Sequence, residues 1–240
     1  MPAPSSASTA TPATTPPREA PWAEGLRGAR ANLLPGLALQ LFALALVLAY
    51  FWHAPTHHAL ERLSAWRSEL GVTFAIVSTG LFGGLLPFLY LRLTAARYTW
   101  PQGALITAFW AYKGIEIDLW YRALAHLVGE GNATATVAAK MVLDQFLYCP
   151  LIAIPLTTLA YAYAETHFNT RAVLADLRAP RWYARRVLPL LISNIGVWVP
   201  AVCIIYALPT PLQLPLQNIV LCFFTLLLAH LAQQKTTDHH

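Results

Sequence analysis

Long apolar runs separated by short polar stretches dominate the chain after about residue 32. Each run reaches or exceeds the roughly 20 residues that an α-helix needs to cross about 30 Å of hydrocarbon. The runs predict six membrane-spanning helices, at residues 33–53, 70–92, 102–128, 133–165, 186–208 and 212–232. We therefore expect an all-α protein, a polytopic transmembrane helix bundle over residues 33–232.

The two ends of the chain have a different pattern. Residues 1–32 are rich in Pro, Ala, Ser and Thr and poor in large apolar side chains, which predicts a disordered tail. Residues 233–240 are predicted to be a short C-terminal tail. Three closely spaced prolines, at 209, 211 and 215, lie at the start of the last apolar run. A full span that starts near Leu212 and a re-entrant half-helix are therefore both open.

Composition strengthens the membrane interpretation. The chain is 57% hydrophobic and 11% charged, with a mean hydropathy of +0.48, whereas soluble domains carry about a quarter of their residues as charge. The three cysteines lie within apolar runs without paired spacing, which argues against a disulfide framework and a zinc site. We expect no metal and no cofactor.

The charge pattern predicts an orientation. Basic residues form short clusters between apolar runs, which favours membrane orientation over nucleic-acid binding. With the amino terminus inside, the inner segments hold eleven basic residues and the outer segments hold three. The eleven are Arg18, Arg27, Arg30, Arg92, Arg97, Arg171, Arg178, Arg181, Arg185, Arg186 and Lys235. Because short cytoplasmic loops carry the excess of Lys and Arg, both termini are predicted to be cytoplasmic.

The third predicted span holds charged residues on two opposite sides. At about 100° per residue, Lys113, Glu116 and Trp120 share one side of a helix. Asp118 and Arg122 lie nearly opposite, with His126 below them. Each unpaired charge near a helix centre costs about 2.5–3.5 kcal/mol on insertion scales. We expect a central helix with Lys113–Glu116 and Asp118–Arg122 as pairs within it.

The fourth predicted span has one polar stripe that begins with Lys140, Asp144 and Tyr148. We expect Asp144 to meet Arg122 or Lys113 of the third span. Prolines at 150 and 155 interrupt the helix and free backbone carbonyls for neighbours or water. This pattern is typical of a hydrated cavity or a pore lining, and a dry, fully paired ion network is the open alternative.

Two short motifs resemble a known family. Residues 120–124 read WYRAL, and residues 140–145 read KMVLDQ with Pro150 following. They are similar to the paired WYxxL and KxxxDQ-x(4)-P signatures of the Mpv-seventeen and peroxisomal-membrane-protein-twenty-two family. Pro189 and the Val-Pro pair at 199–200 resemble that family's WP…VP element, although no Trp precedes Pro189. The resemblance covers about residues 110–202.

The resemblance implies a small integral membrane protein for which pore or channel activity has been proposed, in inner mitochondrial and peroxisomal membranes. Family members are usually described with four spans, so the first helix here is an addition. Asp144 and Gln145 match the DQ of the family, and Trp120 and Tyr121 match its WY. An arginine-heavy, lysine-poor composition favours a bacterial inner membrane instead, with the mitochondrial inner or peroxisomal membrane as the alternative.

We therefore expect a weakly selective pore or transporter for small polar solutes, surrounded by membrane lipids, and not an enzyme. Self-association into a homo-oligomer is left open, and no nucleic-acid partner is expected. A structural or assembly protein with a dry ionic core is the alternative, followed by an intramembrane lipid-processing enzyme. The residues predicted to form the pore or polar core are Asp144, Gln145, Lys140, Tyr148, Lys113, Glu116, Asp118, Arg122, Trp120 and Tyr121.

Overall fold

The computed structural model describes residues 20–95 and 98–237, and within these ranges the chain is all helical, without a β-strand. The helices are α1 (Pro21–Ala31), α2 (Leu33–Trp52), α3 (Ala54–Leu70), α4 (Val72–Thr79), α5 (Leu86–Ala95), α6 (Trp100–Val128), α7 (Thr134–Leu143), α8 (Ile154–Glu165), α9 (Thr170–Arg178), α10 (Leu188–Tyr206) and α11 (Thr210–Thr237). Wide π-helical segments join α4 to α5, α7 to α8, and lead into α10, at Gly80–Leu85, Asp144–Ala153 and Tyr183–Val187.

Five stretches of helix in the described residues are long and apolar enough to cross a membrane. They are Leu33–Trp52, Val72–Thr94, Thr134–Glu165, Tyr183–Tyr206 and Thr210–Leu227. These stretches confirm an all-helical protein suited to a membrane, and they match five of the six predicted spans. Helix α6 matches the remaining one and, at 29 residues, is long enough for a span. It is not apolar enough to count among the five because its middle carries the predicted charges.

The predicted disordered tail is corrected over part of its length. Residues Pro21–Ala31 form helix α1, which packs along α10. Small residues make this packing possible, because a Cβ added at Gly25 would lie 2.8 Å from the Cβ atom of Ile192. Asn32 then joins the two helices by donating its side-chain N–H to the Ser193 hydroxyl at 3.1 Å. Residues 1–19 and 238–240 of the predicted tails lie outside the described residues.

Helix α6 is the central helix of the bundle, as the charges on both its sides predict. It contacts α4, α5, α7, α8 and α11. Its closest approach is to α4, where a Cβ added at Gly114 would lie 2.1 Å from the carbonyl oxygen of Ala75. Glycine is therefore required at 114 by the neighbouring backbone. Gly84 also approaches α6 closely, because an added Cβ would lie 2.7 Å from the Cα atom of Thr107.

The fourth predicted span is one continuous helical rod with a wide section. Pro150 lies inside the π-helical segment and Pro155 in the first turn of α8. Because Pro155 has no N–H, carbonyls about one turn earlier lose a partner. The Tyr183 hydroxyl donates to the carbonyl oxygen of Pro150 at 2.9 Å. A neighbouring side chain thus supplies the hydrogen bond that the proline removes, as the sequence predicts.

The last span is a full helix and not a re-entrant half-helix. Helix α11 starts at Thr210 and continues through Pro215 without a break. Asn218 of α11 forms two hydrogen bonds with α4. Its side-chain N–H donates to the Ser78 hydroxyl at 2.9 Å, and its side-chain oxygen accepts from the Thr79 hydroxyl at 3.1 Å. This buried amide therefore joins α11 to two neighbouring residues of α4.

Candidate functional site: a polar cavity between α6, α8, α10 and α11

The π-helical segment Asp144–Ala153 turns four functional side chains to the same side. Asp144, Gln145, Tyr148 and Cys149 are buried, whereas Phe146, Leu147, Leu151 and Ile152 are exposed. The polar residues therefore face the bundle and the large apolar ones face outward, toward the expected lipid. π-Helical segments are rare in proteins, and those that occur are often found at functional sites.

Tyr148 meets α6 through three residues. Its ring stacks on the indole of Trp120, with centroids 4.9 Å apart and planes 15° apart. Its hydroxyl donates to Glu116 Oε1 at 2.6 Å and accepts from the Lys113 ammonium at 3.1 Å. Lys113 also pairs with the same Glu116 oxygen, which confirms the predicted Lys113–Glu116 pair. The positive charge of Lys113 is thus balanced by the carboxylate of Glu116.

Asp144 is bound only by neutral hydrogen-bond donors. Trp120 Nε1 donates to its Oδ1 at 2.9 Å, and Gln145 Nε2 donates to its Oδ2 at 2.8 Å. The side chain is 5% exposed, yet none of the ion pairs between described residues includes it. Of its two predicted partners, Arg122 binds Asp118 instead, with Arg122 Nε 2.8 Å from the Asp118 carboxylate, so that pairing is wrong. Lys113 does lie at the same cavity as Asp144, but its ion pair is with Glu116.

A cavity of about 260 Å³ lies against Asp144. Its polar lining residues include Lys113, Asp144, Gln145, Tyr148 and Asn194. The rest of the lining is mainly aromatic and aliphatic, with Trp110, Tyr121, Trp198 and Phe224 among its aromatic members. A small, mostly apolar cavity with a few polar groups is the usual form of a small-molecule site. We refer to this space as the Asp144 cavity.

Two further cavities lie next to the Asp144 cavity, toward the end of the bundle that carries α9. A cavity of about 200 Å³ shares Thr157, Asn194 and Trp198 with it. A larger cavity of about 480 Å³ shares Thr157 and Thr158 with the second one and extends to α9. Thr157 lines all three spaces, so they adjoin one another along the same face of α8. We call the three together the α8 groove.

Charged residues line the wide end of the α8 groove. They include Glu24 of α1, Glu165 of α8, and a cluster in which Arg185 and Arg186 bind Asp176. The two arginines lie 2.9 Å and 3.0 Å from the carboxylate oxygens. Their hydrogen bonds, with that of Arg186 the largest cause, hold the pKa of the Asp176 carboxyl below its usual range. The carboxylate therefore stays charged at neutral pH.

The opposite end of the Asp144 cavity is closed by packing. Tyr121, Leu124, Tyr206 and Leu214 are buried together in one apolar cluster. Beside them, Asp118 is 2% exposed and binds both Arg67 of α3 and Arg122 of α6. This arrangement confirms the predicted Asp118–Arg122 pair. We call Arg67, Asp118 and Arg122 the arginine clamp.

The chain has no match among protein-family profiles, curated proteins or solved structures. The arguments about function therefore depend on the side chains and cavities of this chain alone.

The structure divides the ten predicted core residues into four groups. Lys113, Tyr121, Asp144, Gln145 and Tyr148 line the Asp144 cavity. Trp120 and Glu116 do not line the cavity but bind residues that do, namely Asp144, Lys113 and Tyr148. Asp118 and Arg122 belong to the arginine clamp. Lys140 is 1% exposed, does not line the cavity, and its ammonium has no hydrogen-bond partner in the part of the chain that the structure describes.

Sequence reasoning missed several residues that build these sites. Arg67 is one, because it lies in the polar stretch between two spans, which forms α3 and not an extended loop. Asn194 is another, and its side chain lies 3.5 Å from Gln145 Oε1. The signal that could have found Asn194 is its position as an amide within an otherwise apolar span. Thr157 gives no such signal in the sequence. A threonine can satisfy its hydroxyl within its own helix, as Thr157 does by donating to the Ala153 carbonyl, so its presence in an apolar span does not indicate a site.

Proposed function

We propose that this protein is an integral membrane protein that passes small polar solutes through the Asp144 cavity. Five described helices are long and apolar enough to cross a membrane, and α6 would be the sixth span, shielded by its neighbours. The end that carries α9 would face the cytoplasm, because the arginines of the predicted inner segments lie there. The proposed membrane is a bacterial inner membrane.

The observation that carries this proposal is the α8 groove. Water-filled access to a buried charge lowers the cost of placing that charge within a bilayer. Here a buried carboxylate lines the first of three adjoining cavities, and the third and largest is lined by charged residues. A protein whose ionic groups served only to hold helices together would not need this space. The groove therefore supports a path for solutes over a dry ionic core.

The closed end of the path implies a gated mechanism. The cluster around Tyr121 and Tyr206 and the arginine clamp fill the space between the Asp144 cavity and the opposite end of the bundle. A solute that enters from the α9 end would stop at Asp144 in this conformation. Passage would require that the clamp helices α3 and α6 separate, so the described state would be closed on one side.

Membership of the Mpv-seventeen and peroxisomal-membrane-protein-twenty-two family is part of this proposal. The motif residues that suggest it have contacts of the kind a shared motif would need. Trp120 binds Asp144 directly, and Gln145 binds the other oxygen of the same carboxylate. The WY and DQ motifs would thus form one unit around the carboxylate.

Solute flux through reconstituted vesicles tests the proposal. Purified protein in liposomes should speed the uptake of small polar solutes such as methylammonium, urea and glycerol, measured by stopped-flow light scattering. Thr157→Trp should block the shared wall of the groove and abolish the acceleration. Val77→Trp adds the same bulk to an exposed, apolar surface position and should not. Vesicles that stay as tight as protein-free ones for all three solutes would contradict the proposal.

A structural or assembly role is the second candidate, and the arginine clamp favours it. The clamp is compact and its carboxylate is fully paired, as expected of an ion network that fixes helix register. This role predicts co-purification with a stoichiometric partner and no flux with wild-type protein. Flux that depends on Thr157 would exclude it as the sole function.

A further inference from the structure

The charges at the Asp144 cavity do not cancel. Lys113 is neutralised by Glu116, with which it forms an ion pair. Asp144 has two neutral N–H donors and no ion pair among the described residues. The three groups together carry a formal charge of −1 beside the cavity. A buried carboxylate without a counter-charge is unfavourable in a low-dielectric interior, so an occupant with a positive charge would be stabilised there.

The walls of the cavity further restrict the occupant. Trp110, Trp198 and Phe224 line the same space as Asp144. Aromatic faces attract organic cations and accommodate their carbon atoms, whereas a small metal ion prefers several oxygen ligands. Groups of three or more His, Cys, Asp or Glu that could hold a metal ion are absent from the described residues. The lining thus favours a cation with an apolar body.

The volume gives an upper limit to the size of the occupant. A space of about 260 Å³ corresponds to roughly nine water molecules at the liquid value of about 30 Å³ each. A molecule with about ten non-hydrogen atoms would fill it. Longer molecules would extend into the neighbouring cavity past Thr157 and Asn194, which line both spaces.

We propose that the Asp144 cavity is a binding site for a small organic ammonium cation, with the ammonium group at Asp144 and the carbon skeleton against Trp110, Trp198 and Phe224. This proposal rests on the proposed function, since it names the class of solute that would use the path. The free lone pairs of the Asp144 carboxylate accept N–H bonds from the ammonium. Lys113 does not repel the cation strongly because Glu116 holds its charge.

Three probes of equal size and different charge test the proposal. They are 2-phenylethylammonium, the neutral 2-phenylethanol and the anionic phenylacetate, each titrated into detergent-solubilised full-length protein by isothermal calorimetry. We expect 2-phenylethylammonium to bind at least tenfold more tightly than the other two. Equal binding of 2-phenylethanol would overturn the proposal, and so would the absence of binding by 2-phenylethylammonium. Competition by potassium chloride at equal concentration would overturn the organic character of the site.

Two variants assign the binding to Asp144. Asp144→Asn keeps an acceptor for Trp120 but removes the charge, so it should weaken 2-phenylethylammonium binding by tenfold or more and leave 2-phenylethanol unaffected. Glu61→Gln is the matched control, because Glu61 is exposed, accepts from Tyr50 and lies outside the cavity. Thermal unfolding of each variant checks that it folds. If Asp144→Asn binds the ammonium probe like the wild type, the site is not the one proposed.

The binding experiment and the flux experiment test different claims, so each can give a negative result without the other. Ammonium binding that depends on Asp144, in a protein whose liposomes show no flux, would support the site and contradict transport. Flux of urea and glycerol that matches flux of methylammonium, without ammonium binding, would support transport and overturn the site. The two experiments together therefore distinguish a failure of this inference from a failure of the proposed function.

Discussion

The arginine clamp and the Asp144 cavity both use helix α6, and both contain an almost fully buried aspartate, but their charges are balanced differently. Asp118 is bound by two arginines, and Asp144 is bound by an indole N–H and an amide N–H. The first carboxylate has two positive charges bound to it and lines none of the cavities described above. The second has none bound to it and lies on a cavity.

If Asp144 has the proposed role, burial alone does not distinguish a structural carboxylate from a functional one. The exposed fractions of Asp118 and Asp144 are 2% and 5%, too similar to separate them. The charge of the hydrogen-bond donors and the presence of space are what differ. A carboxylate with its counter-charge supplied by the protein holds helices together, whereas one without it is available to a charged solute.

The largest expected effect comes from neutralising the clamp. Asp118→Asn should lower the free energy of unfolding by about 3–5 kcal/mol, because it leaves the buried Arg67 without a counter-charge. Equilibrium unfolding in mixed detergent and SDS micelles measures this. The double variant Arg67→Met with Asp118→Leu removes both buried charges and should recover most of the loss. A single variant as stable as the wild type would show that the clamp is not structural.

A steric change at α6 should have the next largest effect, because both regions depend on the position of this helix. Gly114→Ala places a Cβ 2.1 Å from the Ala75 carbonyl oxygen, which is backbone and must move. We expect a loss of about 1–3 kcal/mol in the free energy of unfolding, as for other overpacked sites. Gly196→Ala is the control, because its Cβ would meet the nearest atom at 3.6 Å. Equal stability of the two variants would contradict the close packing of α4 on α6.

Neutralising Asp144 should have a much smaller effect on stability than neutralising Asp118. Asp144→Asn removes a buried charge that no ion pair within the described residues compensates, while its carbonyl oxygen can still accept from Trp120. The free energy of unfolding should change by less than about 1 kcal/mol, in either direction. The same micellar unfolding measurement applies. A loss as large as that of Asp118→Asn would mean that both aspartates are structural, and the distinction between the two regions would fail.

The smallest expected effect is at the mouth of the α8 groove. Asp176→Asn removes the carboxylate that Arg185 and Arg186 bind, and a partly exposed ion pair contributes at most about 1 kcal/mol. Because these arginines lower the pKa of the folded carboxyl, its contribution is present above the ordinary Asp pKa of about 3.9. It is lost as the pH falls through the lowered value. The stability difference between variant and wild type should thus be constant from neutral pH down to about pH 5.

Much of the fold follows from hydrophobic patterning, because a bilayer requires long apolar helices. The residues 33–53 and 186–208 were predicted as spans, and Leu33–Trp52 and Tyr183–Tyr206 are among the five stretches that qualify. The polar residues of α6 predicted its central position for the same physical reason. Helix α1 was missed because the composition of residues 1–32 as a whole indicates disorder, although Pro21 at its start, Glu24 in its first turn and Arg30 in its last turn are local helix signals.

The candidate site was only partly predictable, for a similar reason. Helical spacing within one span gave the Lys113–Glu116 and Asp118–Arg122 pairs, since these partners are three and four residues apart. Partners on different helices depend on rotation and depth, which periodicity does not determine. The ion pair between Arg67 and Asp118 was therefore not predicted, and Asp144 binds Trp120 and not Arg122.

Access of water to the Asp144 cavity is best tested by thiol labelling in sealed vesicles. Thr157→Cys and Asn194→Cys would be made in a background where Cys149, Cys203 and Cys222 are replaced by Ala, with Leu124→Cys as the buried control on the closed side. A membrane-impermeant sulfonate thiol reagent should label residues 157 and 194 when added on the side that carries α9, and should not label residue 124 from either side. If residues 157 and 194 resist the reagent while an exposed Arg171→Cys reacts, the α8 groove is dry and the proposed path does not exist.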